Sequence, residues 1–219
     1  MNARPIRCLV TAGPTREFFD PVRFISNPSS GKMGYAIATA AAQQGWAVSL
    51  ITGPVALASP AGMEVVRVVT GEEMYTETAA RFPECDILIM SAAVSDYRPK
   101  QQATQKVKKH ELGMTLEMEP TRDILKTLGW QKVKQVVVGF AAETTNVEHY
   151  AREKLAAKNC DYIVANQVGQ AGAGFESDDN RILVIGRDGS QQVFGPAPKT
   201  ALAEDLVQLL SDVLHSQRQ

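Results

Sequence analysis

The sequence has few cysteines, no long apolar run and almost no net charge. Its three cysteines, Cys8, Cys85 and Cys160, are far apart and odd in number, which argues against a disulfide framework and favours reduced, buried thiols over metal ligands. No run of about 18 apolar residues could cross a membrane, and no signal peptide is evident. A formal net charge of -1 provides no global field to attract nucleic acid or an anionic membrane. We therefore expect a cytoplasmic protein with neither nucleic acid nor membrane partners.

The chain alternates short apolar runs with helix-length amphipathic segments. Its 219 residues, 44% of them hydrophobic, can bury one sizeable core, so we expect a single domain over residues 1–219. Buried strands are predicted at residues 8–11, 47–51, 64–69, 86–90, 135–139 and 162–165. Helices are predicted to begin near Lys32, Thr70, Thr121 and Asn146. Thr70 starts a capping box with Glu73, and Asn146 suits a helix cap. The alternation predicts an α/β fold, doubly wound and Rossmann-like, around a mostly parallel sheet.

The last part of the chain has a different pattern. Two short apolar runs, residues 181–185 and 193–194, flank a turn at Asp188 and Gly189, which predicts an antiparallel hairpin at one edge of the sheet. A final amphipathic helix is predicted at residues 199–215, with its leucines on one stripe as core packing requires.

Two segments, residues 13–30 and 98–110, do not fit the alternation and are candidates for functional loops or lids. The first begins at Gly13, directly after the first strand, at the edge where open α/β sheets bind ligands. Within it, the Arg23 guanidinium could hold a carboxylate or phosphate, and the Asn27 amide could bond a developing oxyanion. Taken alone, each is more often a surface or loop-stabilising residue.

Ser29, Ser30 and Gly31 precede the first predicted helix. A helix start offers free N–H groups and a positive dipole to an anion such as phosphate. The alternative is a capped helix whose glycines allow close packing. Neither a Walker A loop nor a G-x-G-x-x-G dinucleotide motif is present.

Several charged residues have both a functional and a structural interpretation. Asp96 follows the fourth predicted strand and could hold Mg²⁺ or a ribose hydroxyl, or form a turn. Lys106 opens a basic run that is either a lid over phosphates or a solvated segment. Lys154 and Lys158 lie one helical turn apart, which suits an anion site or an exposed face.

Tyr150 and Lys154 match the Y-x-x-x-K spacing of short-chain reductases. The match has low specificity, and the glycine-rich cofactor loop that should follow the first strand is missing. A reductase is therefore a weak alternative, which predicts that the protein changes NADPH fluorescence.

Five ordered blocks closely resemble the phosphopantothenate-cysteine ligase (phosphopantothenoylcysteine synthetase) family. They are residues 11–17 (TAGPTRE), 25–34 (ISNPSSGKMG), 92–97 (AAVSDY), 106–109 (KVKK) and 139–144 (GFAAET). The similarity continues through residues 165–166 and 175–180 and so covers nearly the whole chain.

The resemblance implies a ligase of coenzyme A biosynthesis that joins 4'-phosphopantothenate to L-cysteine. In bacterial members CTP and Mg²⁺ convert the carboxylate to an acyl-cytidylate with release of pyrophosphate, and cysteine then displaces CMP. By resemblance, Asn27 binds the acyl-cytidylate, Arg23 lies near phosphopantothenate, and Lys106 neutralises the triphosphate. The implied nucleotide-binding residues are Gly13, Ser29, Ser30, Gly31, Ala92, Ala93, Asp96, Lys106, Arg122, Asp123, Ile124, Leu125, Phe140, Lys154 and Lys158, with Asp96 also the candidate metal ligand. Arg122 stands where the resemblance places proline, a departure that still leaves the backbone able to contact the base.

Many bacterial relatives are fused behind a flavin-dependent decarboxylase domain that this sequence lacks. We therefore expect either a standalone protein, with a separate phosphopantothenoylcysteine decarboxylase, or half of a bifunctional one. The resemblance also implies a homodimer whose site borrows residues from the partner. An ATP-dependent ligase and a non-catalytic nucleotide-binding module are the alternatives to CTP-dependent ligation.

Overall fold

The apolar runs form strands and the amphipathic segments form helices, as the alternation predicts. The computed structural model describes residues 4–109, 113–143, 145–167 and 178–217. The strands are β1 (Arg7–Ala12), β2 (Arg16–Phe18), β3 (Phe24–Ser26), β4 (Ala47–Thr52), β5 (Glu64–Arg67), β6 (Ile87–Met90), β7 (Tyr97–Pro99), β8 (Met118–Pro120), β9 (Val136–Glu143), β10 (Tyr162–Gln167), β11 (Asp179–Gly186) and β12 (Gln191–Pro198). The helices are α1 (Lys32–Gln43), α2 (Gly71–Arg81), α3 (Ile124–Gln131), α4 (Val147–Ala157) and α5 (Lys199–Gln217).

Eight strands form one sheet in the order β12-β11-β10-β9-β6-β1-β4-β5. Six neighbouring strands run parallel: β10, β9, β6, β1, β4 and β5. Strands β11 and β12 add an antiparallel hairpin at the β10 edge. The predicted fold class, mostly parallel with an antiparallel edge hairpin, is confirmed.

Side chains that alternate along the strands divide the core into two layers. In β1, Cys8 and Val10 pack with α1 and α5 on one face, whereas Leu9 faces α2, α3 and α4 on the other. The prediction of buried thiols is confirmed, because all three cysteines are free and buried. Burial raises the pKa of both Cys85 and Cys160 to about 12.

Helix starts follow their caps. The capping box between Thr70 and Glu73 is present, as predicted. The prediction that α3 begins near Thr121 is wrong, because the Asp123 side chain accepts a hydrogen bond from the Lys126 N–H and the helix begins only after it. Asn146 does precede α4, but its backbone is left-handed, with φ 49°, and its side chain makes no cap hydrogen bond.

Both irregular segments contain short strands that the sequence patterns do not reveal. In the first, β2 pairs with β3, and in the second β7 pairs with β8, which lies beyond the predicted loop. His110 lies outside the described residues. No helix in the described part of the chain is long and apolar enough to cross a membrane.

Candidate active site

A cavity of about 600 Å³ opens at the carboxyl ends of β6, β9 and β10, beside the start of α1. The chain leaves β1 through α1 on one face to reach β4, and later reaches β6, on the other side of β1, through α2 on the opposite face. This reversal makes the cavity a topological switch point, where open α/β sheets bind ligands. Its volume is in the range of small-molecule sites.

All but three of the predicted site residues line this cavity. The lining includes Asn27, Ser29, Ser30, Gly31, Ala92, Ala93, Asp96, Arg122, Asp123, Ile124, Leu125, Phe140, Lys154 and Lys158. The three outside the lining are Gly13, Arg23 and Lys106. The fold therefore brings together side chains that are far apart in sequence.

The start of α1 faces the cavity through its glycines. Gly31 precedes the helix with φ 77°, and the helix has neither a side-chain cap nor an acidic residue in its first turn. A Cβ on Gly34 would lie 2.5 Å from both Ala12 Cβ and Ser91 Oγ. The glycines thus pack α1 closely against β1, and the same packing brings the positive start of the helix to the cavity.

Asn27 joins the loop before α1 to the loop after β6. Its amide nitrogen donates to the main-chain oxygens of Ala93, at 3.2 Å, and Val94, at 3.1 Å. Because both partners are acceptors, the amide oxygen is the group left to meet a ligand.

Lys154 on α4 and Lys158, directly after the helix, line the cavity from the other face of the sheet. Burial lowers the pKa of Lys154. The charge of Lys158 lowers this pKa further, whereas the charge of Glu143 raises it. The Lys158 Nζ forms an ion pair with Asp123. Asp123 thus both caps α3 and holds a lysine at the cavity. The interpretation of these lysines as an exposed face is wrong.

The chain segments that carry Arg122 and Asp96 meet, because the Thr121 N–H donates to the Asp96 carbonyl oxygen at 2.9 Å. The Arg122 guanidinium stacks 4.2 Å from the centre of the Tyr75 ring on α2, so the expected proline is replaced by a side chain held against a helix. Asp96 is exposed, and its charge opposes the lowering of the Lys154 pKa. Among the described residues, no group of three or more histidine, cysteine or acidic side chains could hold a metal ion.

Lys199 lines the cavity although no sequence pattern marked it. At the start of α5, it is only 6% exposed. Burial lowers its pKa, as does the charge of Lys32, which pairs with Asp178 at 2.6 Å. In sequence Lys199 is an ordinary helix-terminal lysine, and only the packing of α5 beside α1 places it here.

Arg23 and Lys106 belong to a neighbouring structure built around Asp20. Arg23 binds Asp20 at 2.7 Å, and its guanidinium also donates to the carbonyl oxygen of Val107. The exposed Lys106 precedes Val107 in the chain. The structure thus brings Arg23 and the segment of Lys106 together, but outside the cavity lining.

Residues 4–214 match the family described as the DNA/pantothenate metabolism flavoprotein C-terminal domain. The chain is 48% identical over 201 residues to the coenzyme A biosynthesis bifunctional protein CoaBC of Bacillus subtilis, covering 91% of this chain and 50% of that protein. Its counterpart in Escherichia coli K12 is 46% identical over 194 residues, covering 87% and 48%.

A crystal structure of the C-terminal domain of a coenzyme A biosynthesis bifunctional protein CoaBC has the same fold. The TM-score is 0.83 with 41% identity, and the match covers 96% of each chain. The chain thus spans about half the length of the curated relatives it matches. It belongs to the DNA/pantothenate metabolism flavoprotein C-terminal domain family and is homologous to the C-terminal domain of those bifunctional proteins.

Proposed function

We propose that this chain is a phosphopantothenate-cysteine ligase of coenzyme A biosynthesis that uses CTP and forms an acyl-cytidylate. The proposal is supported above all by one cavity in which residues of the ligase-like blocks and the implied nucleotide-binding positions lie together. The homology to bifunctional coenzyme A biosynthesis proteins supports the same reaction.

The charges around the cavity suit an attack of a carboxylate on a nucleotide. The start of α1 offers N–H groups to phosphate oxygens on one side, and Lys154 and Lys158 offer cations on the other. In the first step, a carboxylate oxygen of 4'-phosphopantothenate bonds to the α-phosphorus and pyrophosphate leaves. In the second, the cysteine amine attacks the acyl carbon and CMP leaves. Asn27 lies between the two loops that would hold the mixed anhydride.

The residues present fit a magnesium ion that arrives with the nucleotide. The protein offers the exposed carboxylate of Asp96 at the cavity. One or two carboxylates together with substrate phosphates is the usual way in which proteins bind Mg²⁺. Bound there, Mg²⁺ would offset phosphate charge, and Asp96 would hold it.

A homodimer would explain why Arg23 and Lys106 lie outside this chain's own cavity. Large apolar side chains are exposed on and beside the two small sheets, at Val22, Phe24, Ile25, Tyr97 and Met114. Strands β2 and β7 contact each other and so join the two small sheets. We call these five exposed residues the small-sheet patch. Such a patch suits an interface, and pairing there would bring Arg23 and Lys106 towards the partner's cavity.

The test is pyrophosphate release with 4'-phosphopantothenate, cysteine, CTP and Mg²⁺, together with omission of each component. We expect pyrophosphate release to need phosphopantothenate and nucleotide, and CMP release to need cysteine as well. CTP and ATP compared at equal concentration decide the nucleotide. Binding of CTP without turnover would instead support a non-catalytic module, and a change in NADPH fluorescence would support a reductase.

The match to only half of each bifunctional protein suggests a protein that acts on the product of this chain. Because the chain matches about half of each bifunctional protein, we propose that a phosphopantothenoylcysteine decarboxylase consumes its product. Adding such a decarboxylase to the assay should convert the ligase product with loss of carbon dioxide.

A further inference from the structure

The buried carboxylate of Asp20 is the centre of a hydrogen-bond network that joins two loops. Asp20 is 0% exposed. Its Oδ1 accepts from the main-chain N–H groups of Val22 and Arg23, both at 2.8 Å. Its Oδ2 accepts from Arg23 Nε at 2.9 Å and from the Val107 N–H at 3.1 Å. A buried carboxylate needs such donors, and here one acid satisfies groups from both segments.

The network closes on itself through Arg23. The same guanidinium that binds Asp20 donates to the carbonyl oxygen of Val107. Both backbone groups of Val107 are therefore held, one by Asp20 and one by Arg23. Four residues earlier, the Ala103 N–H donates to Phe19 at 2.9 Å. The segment that carries Lys106 is thus fixed to the loop that carries Arg23.

We propose that Asp20 is a positioning residue that holds Arg23 and Lys106 as one unit for the ligase reaction. The inference rests on the proposed function, in which Arg23 meets phosphopantothenate and Lys106 meets the triphosphate. Asp20 touches neither substrate and acts through these two side chains. Since both substrates of the first step depend on the same carboxylate, its loss affects them together.

The direct test is Asp20→Asn, which keeps the shape and removes the charge. The asparagine side chain has only one acceptor oxygen, whereas both oxygens of Asp20 accept from N–H donors. In either orientation its NH₂ group would therefore face donors and lose those hydrogen bonds. We expect the KM values for CTP and phosphopantothenate to rise together, or kcat for pyrophosphate release to fall, by roughly ten- to a hundredfold, as for other small misplacements of binding groups. The KM for cysteine, which enters afterwards, should stay within about twofold.

Glu17→Gln is the matched control. Glu17 is also a buried carboxylate of this segment, 5% exposed, but it accepts from the Gly71 N–H at 2.9 Å. Among the described residues, the hydrogen bonds that hold the Arg23 guanidinium and Val107 go to Asp20 and to each other, not to Glu17. We expect a lowered melting temperature with nearly wild-type KM values. Equal kinetic changes in both variants would show a general loss of stability and overturn the proposal.

Amide hydrogen exchange on the wild-type protein tests the network even if Asp20→Asn fails to fold. We expect the Val107 amide to exchange much more slowly than those of Lys106 and Lys108. Exchange at the rate of an unstructured amide would overturn the inference, as would wild-type KM values in Asp20→Asn. A wild-type protein that makes no product but protects Val107 would refute the proposed function alone.

Discussion

At the scale of single residues, Asn27 offers the sharpest test of the chemistry. Its amide nitrogen donates to Ala93 and Val94. In Asn27→Asp a carboxylate oxygen would face two carbonyl oxygens and repel them. We expect acyl-cytidylate to accumulate while product falls, measured by quenched-flow separation of nucleotides. Gln102→Glu adds the same charge at an exposed position and should retain wild-type turnover. Normal product formation by Asn27→Asp would contradict the role.

Lys106 tests the first chemical step. In Lys106→Gln we expect slower pyrophosphate release, by roughly a hundredfold, because a cation that stabilises the leaving phosphates is lost. Lys100→Gln is the control, since Lys100 is exposed in the same segment and pairs with Glu117 on the surface. An equal rate of pyrophosphate release in the two variants would remove Lys106 from the site.

Asp20 also predicts a dependence of stability on pH. Burial favours the neutral acid, but three main-chain N–H groups and Arg23 outweigh it and lower the pKa to about 2 from the model-peptide 3.8. The folded carboxylate thus contributes stability above about pH 4 that is lost as the pH falls towards 2. Between about pH 5 and about pH 2.5, the free energy of unfolding measured in urea should fall less for Asp20→Asn than for wild type. Equal losses would contradict the assigned hydrogen bonds.

At the scale of elements, the contact between α1 and β1 decides where the phosphate end of the cavity lies. Because a Cβ on Gly34 would be 2.5 Å from Ala12 and Ser91, Gly34→Ala must push the helix away from the sheet. We expect a loss of about 1–3 kcal/mol in the free energy of unfolding and weaker CTP binding, measured by urea denaturation and calorimetry. Thr39→Ala, at an exposed position of the same helix, should change neither. A stable Gly34→Ala protein with normal affinity would contradict this packing.

At the scale of the whole molecule, the small-sheet patch predicts the assembly. Ile25 is 39% exposed, and Ile25→Lys would place a charge in the proposed interface at a high desolvation cost. We expect a dimer for wild type and a monomer with strongly reduced ligation for Ile25→Lys, by sedimentation equilibrium and pyrophosphate release. Val133→Lys is the control, since Val133 is 92% exposed and outside the patch. A fully active wild-type monomer would refute the dimer.

The fold class and about half of the cavity lining could be predicted from the amino-acid sequence. Apolar runs and amphipathic periods depend on neighbouring residues only, so the parallel strands and the edge hairpin could be predicted from them. The resemblance pointed to the start of α1, the loop after β6, and Lys154 and Lys158, which the sheet brings to one edge. The first residue of a helix was harder to predict. For α3, Thr121 is as plausible a cap in the sequence as Asp123, which caps the helix in the structure.

Which distant groups meet, by contrast, depends on how the helices and loops pack. Lys199 became a cavity residue because α5 packs beside α1, and Asp20 became the link between two loops because it is buried where both pass. Neither follows from a local pattern, since hydrogen bonds and charge interactions depend on distance in space rather than on spacing in sequence. For the same reason, the positions of Arg23 and Lys106 outside the cavity appeared only when the chain was folded.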